Sequence, residues 1–180
     1  LYITSNLILY FFKYDLGTEL WKNNYTLFTT IGVATQILGM MVLYPVLRNK
    51  LSNTTIFKTS LCMAILGYAL LLFASFMNLA HNMVVLCLIG ALVFSANGML
   101  SVLTTVFLST SVDYGEMKTG RREESVIFSM QTFVVKAASG LAVFLTGIGL
   151  DMIGLAGNSE DGIPAVQSAS TITGLRCLMT

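Results

Sequence analysis

Five long apolar runs, parted by short polar joints, leave this chain few folds to choose from. They span about 1–17, 25–47, 56–77, 83–112 and 123–154, and a sixth opens near 170–180. About 20 apolar residues in helical form cross the hydrocarbon core of a bilayer. A strand-built membrane barrel instead needs alternating segments of about ten residues, and that alternation is absent. The expectation is an all-α, polytopic membrane bundle. Composition agrees: charged residues make up 11% of the 180, against roughly a quarter in an ordinary soluble domain.

Several function classes drop out at this point. A net charge of +1 offers no basic face for a nucleic-acid backbone. Cys62, Cys87 and Cys177 lie far apart in or beside apolar runs, without the spacing of metal ligands. No nucleophile–base pair, metal cluster or phosphate-cradling glycine loop is present, so an enzyme and a bound cofactor are not expected. Leu1 already lies inside an apolar run, and the run from Thr171 stops after about half the length of a crossing. The chain reads as a fragment, five helices and the start of a sixth, with an N-terminal half missing.

Cations orient the bundle. Arg48, Lys50 and Lys58 occupy the second joint, and Lys118, Arg121 and Arg122 the fourth; the opposite joints hold only Lys22. Two crossings separate the basic joints, so they share a side. The expectation is a cytoplasmic placement for the loops near 48–58 and 113–124 in a cell (plasma) membrane.

Polar side chains in lipid turn toward the bundle interior or a wet cavity, so their spacing maps inner faces. Ser125, Ser129, Thr132, Lys136 and Ser139 recur at steps of four, three, four and three on the fifth run, which is one helical face. Asn97, Ser101 and Thr104 repeat the step on the fourth run. Thr29, Gly32, Gln36 and Gly39 do so on the second, and Asn6, Tyr10, Lys13 and Gly17 on the first. Close helix packing explains small and hydroxylated residues taken singly. Four polar-faced helices beside an apolar third run suggest a cavity as well, with the third run against lipid.

Lys136 is the sharpest of these residues. It lies roughly 20 Å along its helix at 1.5 Å per residue, near mid-membrane. Insertion scales put a lysine there at about 2.5–3.5 kcal/mol unfavourable. An ionisable group so placed belongs to a solute or ion path, or to a buried pair that sets helix register. No acidic residue of the sequence lies at its depth, so a partner must come from elsewhere. Lys13, close to Asp15 and Glu19, fits an interfacial charge cluster as well as a substrate contact.

The segment from Asp113 to Ser125 concentrates charge between two apolar helices. It reads either as a solvated loop or as a place where ion pairs exchange between two states. Here Asp113, Tyr114, Gly115 and Glu116, followed by Thr119, Gly120, Arg122 and Glu124, resemble the motif between the tenth and eleventh helices of glycoside–pentoside–hexuronide:cation symporters, the melibiose permease group of the major facilitator fold. Tyr10-Phe-Phe-Lys-Tyr-Asp-Leu-Gly17 is similar to the end of that family's seventh helix. Ser129-Met-Gln-Thr-Phe-Val-Val-Lys-Ala-Ala-Ser139 is similar to its eleventh. The resemblance spans nearly the whole chain. It departs at Thr110, where the family often has an aspartate, and at Ser101, where melibiose-type carriers have a tryptophan.

The resemblance implies the C-terminal six-helix half of a twelve-helix carrier that moves a sugar or glycoside with a cation (Na⁺, H⁺ or Li⁺) by alternating access. It implies that Lys136 lies beside the coupling-cation site, with the acidic cation ligands in the N-terminal half. Thr132, Ser129, Ser139, Asn97, Ser101, Thr104, Gln36, Tyr10 and Lys13 are the expected neighbours of the substrate or cation. Asp113, Tyr114, Gly115, Thr119, Gly120, Arg122 and Glu124 are the expected cytoplasmic gate. Two other readings stay open on the residues alone: the same fold carrying a lipid or other organic anion, and a non-transporting membrane subunit or receptor.

Overall fold

The computed structural model describes residues 2–15, 21–77, 82–155 and 167–179, and among them every regular element is helical. Among the described residues, four helices are long and apolar enough to cross a membrane: Trp21–Arg48, Asn53–Phe76, Met83–Thr119 and Glu124–Met152. We label α1 Tyr2–Tyr10, α2 Trp21–Leu38, α3 Tyr44–Arg48, α4 Asn53–Phe76, α5 Met83–Thr119, α6 Glu124–Met152 and α7 Ala169–Met179. Gly17, Glu19, His81 and the loop around Pro164 lie outside the described residues.

Two π-turns interrupt the helical register, at Phe11–Asp15 after α1 and at Gly39–Leu43 between α2 and α3. The second has a local cause. Pro45 has no N–H to donate, and its ring crowds the carbonyl four residues back. The backbone widens ahead of it, the Tyr44 N–H reaching the Gly39 carbonyl five residues away, and the helix runs on to Arg48. Helix ends are closed by side chains: Ser52 accepts from the Thr55 N–H at 3.3 Å, and Asn82 from the Val84 N–H at 3.1 Å. Each satisfies one orphan donor of a first turn.

α5 is the central helix. α2 packs on one side of it and α4 on another, while α1 lies against α6 and α7. Glycines set these approaches. A Cβ on Gly39 would stand 2.7 Å from the Ser95 carbonyl oxygen, and one on Gly98 would strike the Gln36 carbonyl, so α2 and α5 touch backbone to backbone. Leu7, Ile8, Phe11, Phe12, Phe28, Leu71, Leu86 and Leu175 form the main core. The Phe12 and Phe28 rings lie 5.3 Å apart, and Phe28 meets Phe94 edge-on at 5.9 Å.

Three expectations change. The fourth run does not end at 112: α5 continues through Asp113, Tyr114, Gly115 and Glu116 to Thr119. The i,i+4 ladder has no reason to stop there, because no glycine pair or proline intervenes until Gly120 adopts φ +71° as a left-handed cap. Gly32 and Gly39 are buried against α5, so in the second run's stripe these two serve packing. The third run also has an inner face. Ile56, Ser60, Ala64, Gly67, Leu71 and Ser75 are buried, while Leu61, Ile65, Leu66, Leu70 and Phe73 are exposed on the rest of α4. Such an exposed apolar surface suits lipid or another protein segment, not water.

Candidate functional site

Two recesses flank α1. The first is a cavity of about 270 Å³ lined by Thr4 and Ser5 of α1, Tyr25, Phe28, Thr29 and Gln36 of α2, Tyr68 of α4, and Phe94 and Asn97 of α5, among others. It lies beside the backbone contacts at Gly39 and Gly98, with the Phe94 ring against Gly32 and the Phe28 ring against Gly90. Asn97 is 8% exposed, and its Oδ1 has no hydrogen-bond partner among the described residues. Gln36 and Asn97, placed on separate stripes by the sequence, share this cavity.

The second recess is a shallower cleft between α1 and α6, lined by Ser5, Asn6, Tyr10, Tyr25, Val143, Thr146, Gly147 and Leu150. Ser5 and Tyr25 border both recesses. Tyr10 therefore meets α6, its ring stacked on Tyr14 with centroids 6.4 Å apart. Lys136 precedes Val143, Gly147 and Leu150 by 7, 11 and 14 residues, which keeps all four on one helical face. It thus continues the cleft's face of α6, roughly 10 Å toward the helix start at 1.5 Å per residue.

From Glu124 to Gly140, α6 is exposed or half-buried on every side, and only Ala142, Thr146 and Gly149 are buried. Lys136 is exposed and makes no ion pair among the described residues. The hydroxyls beside it are satisfied locally. Ser129 donates to the Val126 carbonyl at 2.9 Å, Thr132 to Phe128 at 2.9 Å and Ser139 to Lys136 at 2.8 Å. Such back-bonding keeps a hydroxyl compatible with a membrane helix and leaves its oxygen free to accept. Ser101 and Thr104 are exposed on α5, and Thr104 donates to Leu100 at 2.8 Å. They line neither recess.

Lys13 is half-buried, its Nζ lying 5.0 Å from the centroid of the Tyr14 ring. Asp15, expected in an interfacial cluster with Lys13, has a distant partner as well. Arg176 of α7 holds the carboxylate in a two-pronged bond, Nε to Oδ2 at 2.8 Å and Nη2 to Oδ1 at 2.7 Å. The Asp15 side chain is 3% exposed and that of Arg176 14%.

At the far end, α5 and α6 meet in a charged corner. Arg122 donates through Nη1 to Glu116 at 3.1 Å and through Nε to Glu124 at 3.1 Å; Asp113 lies 3.8 Å away. Glu116, not assigned a role from the sequence, thus joins Asp113, Arg122 and Glu124. Hydrogen bonding to Glu124 and that carboxylate's charge, then Glu116, push the Arg122 guanidinium above its usual range. Thr119 donates to the Gly115 carbonyl at 2.8 Å and accepts from the Arg121 N–H at 3.4 Å. With Gly120 it shapes the turn that presents Arg122, while Tyr114 stands exposed beside it.

Neither recess nor the corner holds a reactive constellation, and among the described residues no group of three or more His, Cys, Asp or Glu could hold a metal. Comparison with known proteins agrees with a carrier. The family described as MFS/sugar transport protein matches residues 1–180. An uncharacterized symporter, YjmB, of Bacillus subtilis (strain 168) is 31% identical over 180 residues, 98% of this chain and 35% of its own length. A lactose permease of Lactobacillus helveticus is 27% identical, over 87% of this chain and 23% of its own. An isoprimeverose transporter of Lactiplantibacillus pentosus is 28% identical, over 91% and 33%. The chain thus spans about a third or less of these relatives. With its long apolar helices and a family match along its whole length, this chain belongs to the MFS/sugar transport family of multi-pass membrane transporters.

Proposed function

We propose that this chain is the C-terminal half of a plasma-membrane carrier that accumulates a sugar or glycoside by symport with Na⁺, H⁺ or Li⁺. The observation that carries the reading is Lys136. It is an amine at mid-helix on the exposed N-terminal part of α6, flanked by Ser129, Thr132 and Ser139 and without an ion-pair partner among the described residues. A charge at that depth has to meet a counter-charge, a solute or a water-filled path. An N-terminal half carrying the acidic cation ligands supplies the first, and a sugar held between the halves the second. Carriers of this architecture bind near the midplane and rock one half against the other. Coupling is reciprocal, so a cation that tightens sugar binding is itself bound more tightly when sugar is present.

The charged corner then has a role. With the basic joints in the cytoplasm, Asp113, Glu116, Arg122 and Glu124 form the inner gate. Exposed pairs are worth little individually, which lets them exchange partners at small cost as the two halves move. The exposed apolar faces of α2 and α4 take lipid and the N-terminal half.

The test is uptake into proteoliposomes by the complete carrier under an imposed cation gradient, with a panel of methyl glycosides. Lys136→Ala is expected to abolish gradient-driven accumulation. Wild-type accumulation by that variant would remove Lys136 from the coupling path. Failure of the unmodified carrier to move any glycoside would overturn the substrate class.

A further inference from the structure

We propose that Arg176 is a positioning residue for transport: by gripping Asp15 it fixes the π-turn after α1, and with it Tyr10 and Lys13, against the α1–α6 cleft. The proposal rests on the reading of the chain as part of a sugar carrier, with the solute path along that cleft. α7 bridges the end of α6 and the end of α1. The Thr171 hydroxyl donates to the Ile153 carbonyl, just past α6, at 2.9 Å. Gly174 comes so near Ile153 that a Cβ on it would stand 2.7 Å from that side chain, and a Cβ on Gly149 of α6 would stand 3.2 Å from Leu178. α7 is thereby seated on α6. From that seat Arg176 holds Asp15 by two bonds, at 2.8 and 2.7 Å, while Leu175 is buried in the core with Phe11 and Phe12. The end of α1 thus takes its place relative to α6 through α7.

What the grip fixes is an angle. Asp15 closes the π-turn Phe11–Asp15, whose hydrogen bonds span one residue more than those of an α-helix. Relaxation to an α-helix would swing the residues beyond it by roughly 100°, one residue's share of a 3.6-residue turn, and would carry Asp15 away from Arg176. The apolar contacts of Leu7, Ile8, Phe11 and Phe12 hold α1 in the core, but such contacts are non-directional. A two-pronged carboxylate–guanidinium bond has a set geometry. Tyr10 lines the cleft and is stacked on Tyr14, the ring planes 9° from parallel. Lys13 Nζ lies 5.0 Å from the centroid of that same Tyr14 ring. The rotation of the π-turn therefore reaches Tyr10 and Lys13 together. Stability alone does not call for the pair, because an apolar pair of similar bulk often serves as well.

The experiment compares the complete carrier with two variants of it. Asp15→Leu with Arg176→Leu leaves no stranded charge, and Arg176→Lys keeps the charge without the planar fork. Thr146 lines the cleft from α6 and is 6% exposed. Thr146→Cys, in a background without other cysteines, reports through its rate with N-ethylmaleimide how closely α1 covers α6. The double variant is expected to keep its unfolding midpoint while the Thr146→Cys thiol reacts severalfold faster. With Thr146 in place, it is expected to raise the KM for methyl glycoside uptake more than it lowers the maximal rate, as lost binding geometry does. Arg176→Lys is expected to shift both readouts in the same direction. An unchanged thiol rate in the double variant overturns the positioning role, and so does a faster rate with an unchanged KM. Absence of uptake of every methyl glycoside by the unmodified carrier overturns the carrier reading and the transport role with it. The thiol rates need no transport and tell that failure from the other. Should the double variant fail to fold, Arg176→Lys decides on the same two readouts.

Discussion

Replacing Arg176 by leucine is expected to destabilise the protein more than replacing Arg176 and Asp15 together. The structure sets the magnitude. Asp15 is 3% exposed at its side chain and receives two charge-assisted bonds, at 2.8 and 2.7 Å. Hydrogen bonds to charged groups contribute about 1.5–3 kcal/mol each, and removing one partner of a buried pair typically costs about 3–5 kcal/mol. Arg176→Leu leaves the carboxylate buried without its guanidinium and falls in that range. Asp15→Leu with Arg176→Leu leaves no stranded charge and is expected to cost about 1 kcal/mol or less, because an apolar pair of similar bulk often replaces an ion pair without loss. The assay is a double-mutant cycle on the complete carrier, unfolded reversibly in mixed detergent micelles. A coupling energy of about 2–4 kcal/mol is expected. If the single and double variants agree within about 0.5 kcal/mol, Asp15 and Arg176 are not a buried pair in the complete protein and the reasoning fails.

Three further outcomes follow from the geometry. Gly39→Ala places a methyl group 2.7 Å from the Ser95 carbonyl oxygen, so α2 must move off α5; a loss of about 1–3 kcal/mol is expected, measured in the same unfolding assay. Arg122→Gln removes the shared partner of Asp113, Glu116 and Glu124. Because the cluster is half exposed, its unfolding midpoint is expected to stay put while the uptake rate falls severalfold, which separates a gating role from a structural one. Its raised pKa acts in the basic direction only: the favourable charge is present below the ordinary arginine range and is lost only as pH rises through the higher value. The variant's defect is therefore expected to be flat across assay pH as far as Arg122 itself is concerned. Finally, Thr132→Cys and Ser129→Cys, on the exposed part of α6, are expected to react with a membrane-impermeant thiol reagent in the complete carrier, and resistance at both would show that this face packs against protein.

Run length and composition alone decide the kind of molecule. In lipid a backbone has to satisfy its own hydrogen bonds, so runs as long and apolar as 56–77 and 83–112 had to be helices. A lysine at position 136 and a charged corner around Arg122 stood out because charge is rare in such a setting. Periodicity also named the faces, but a face does not say what lies opposite it. Thr29, Gly32, Gln36 and Gly39 share one stripe, yet Gly32 and Gly39 press on α5 while Gln36 borders a cavity with Asn97. Only the crossing of two helices could sort them. The Asp15–Arg176 pair joins residues 161 positions apart, and no local preference encodes such a meeting. It, the cavity and the burial of Asn97 arise from how whole helices settle against one another.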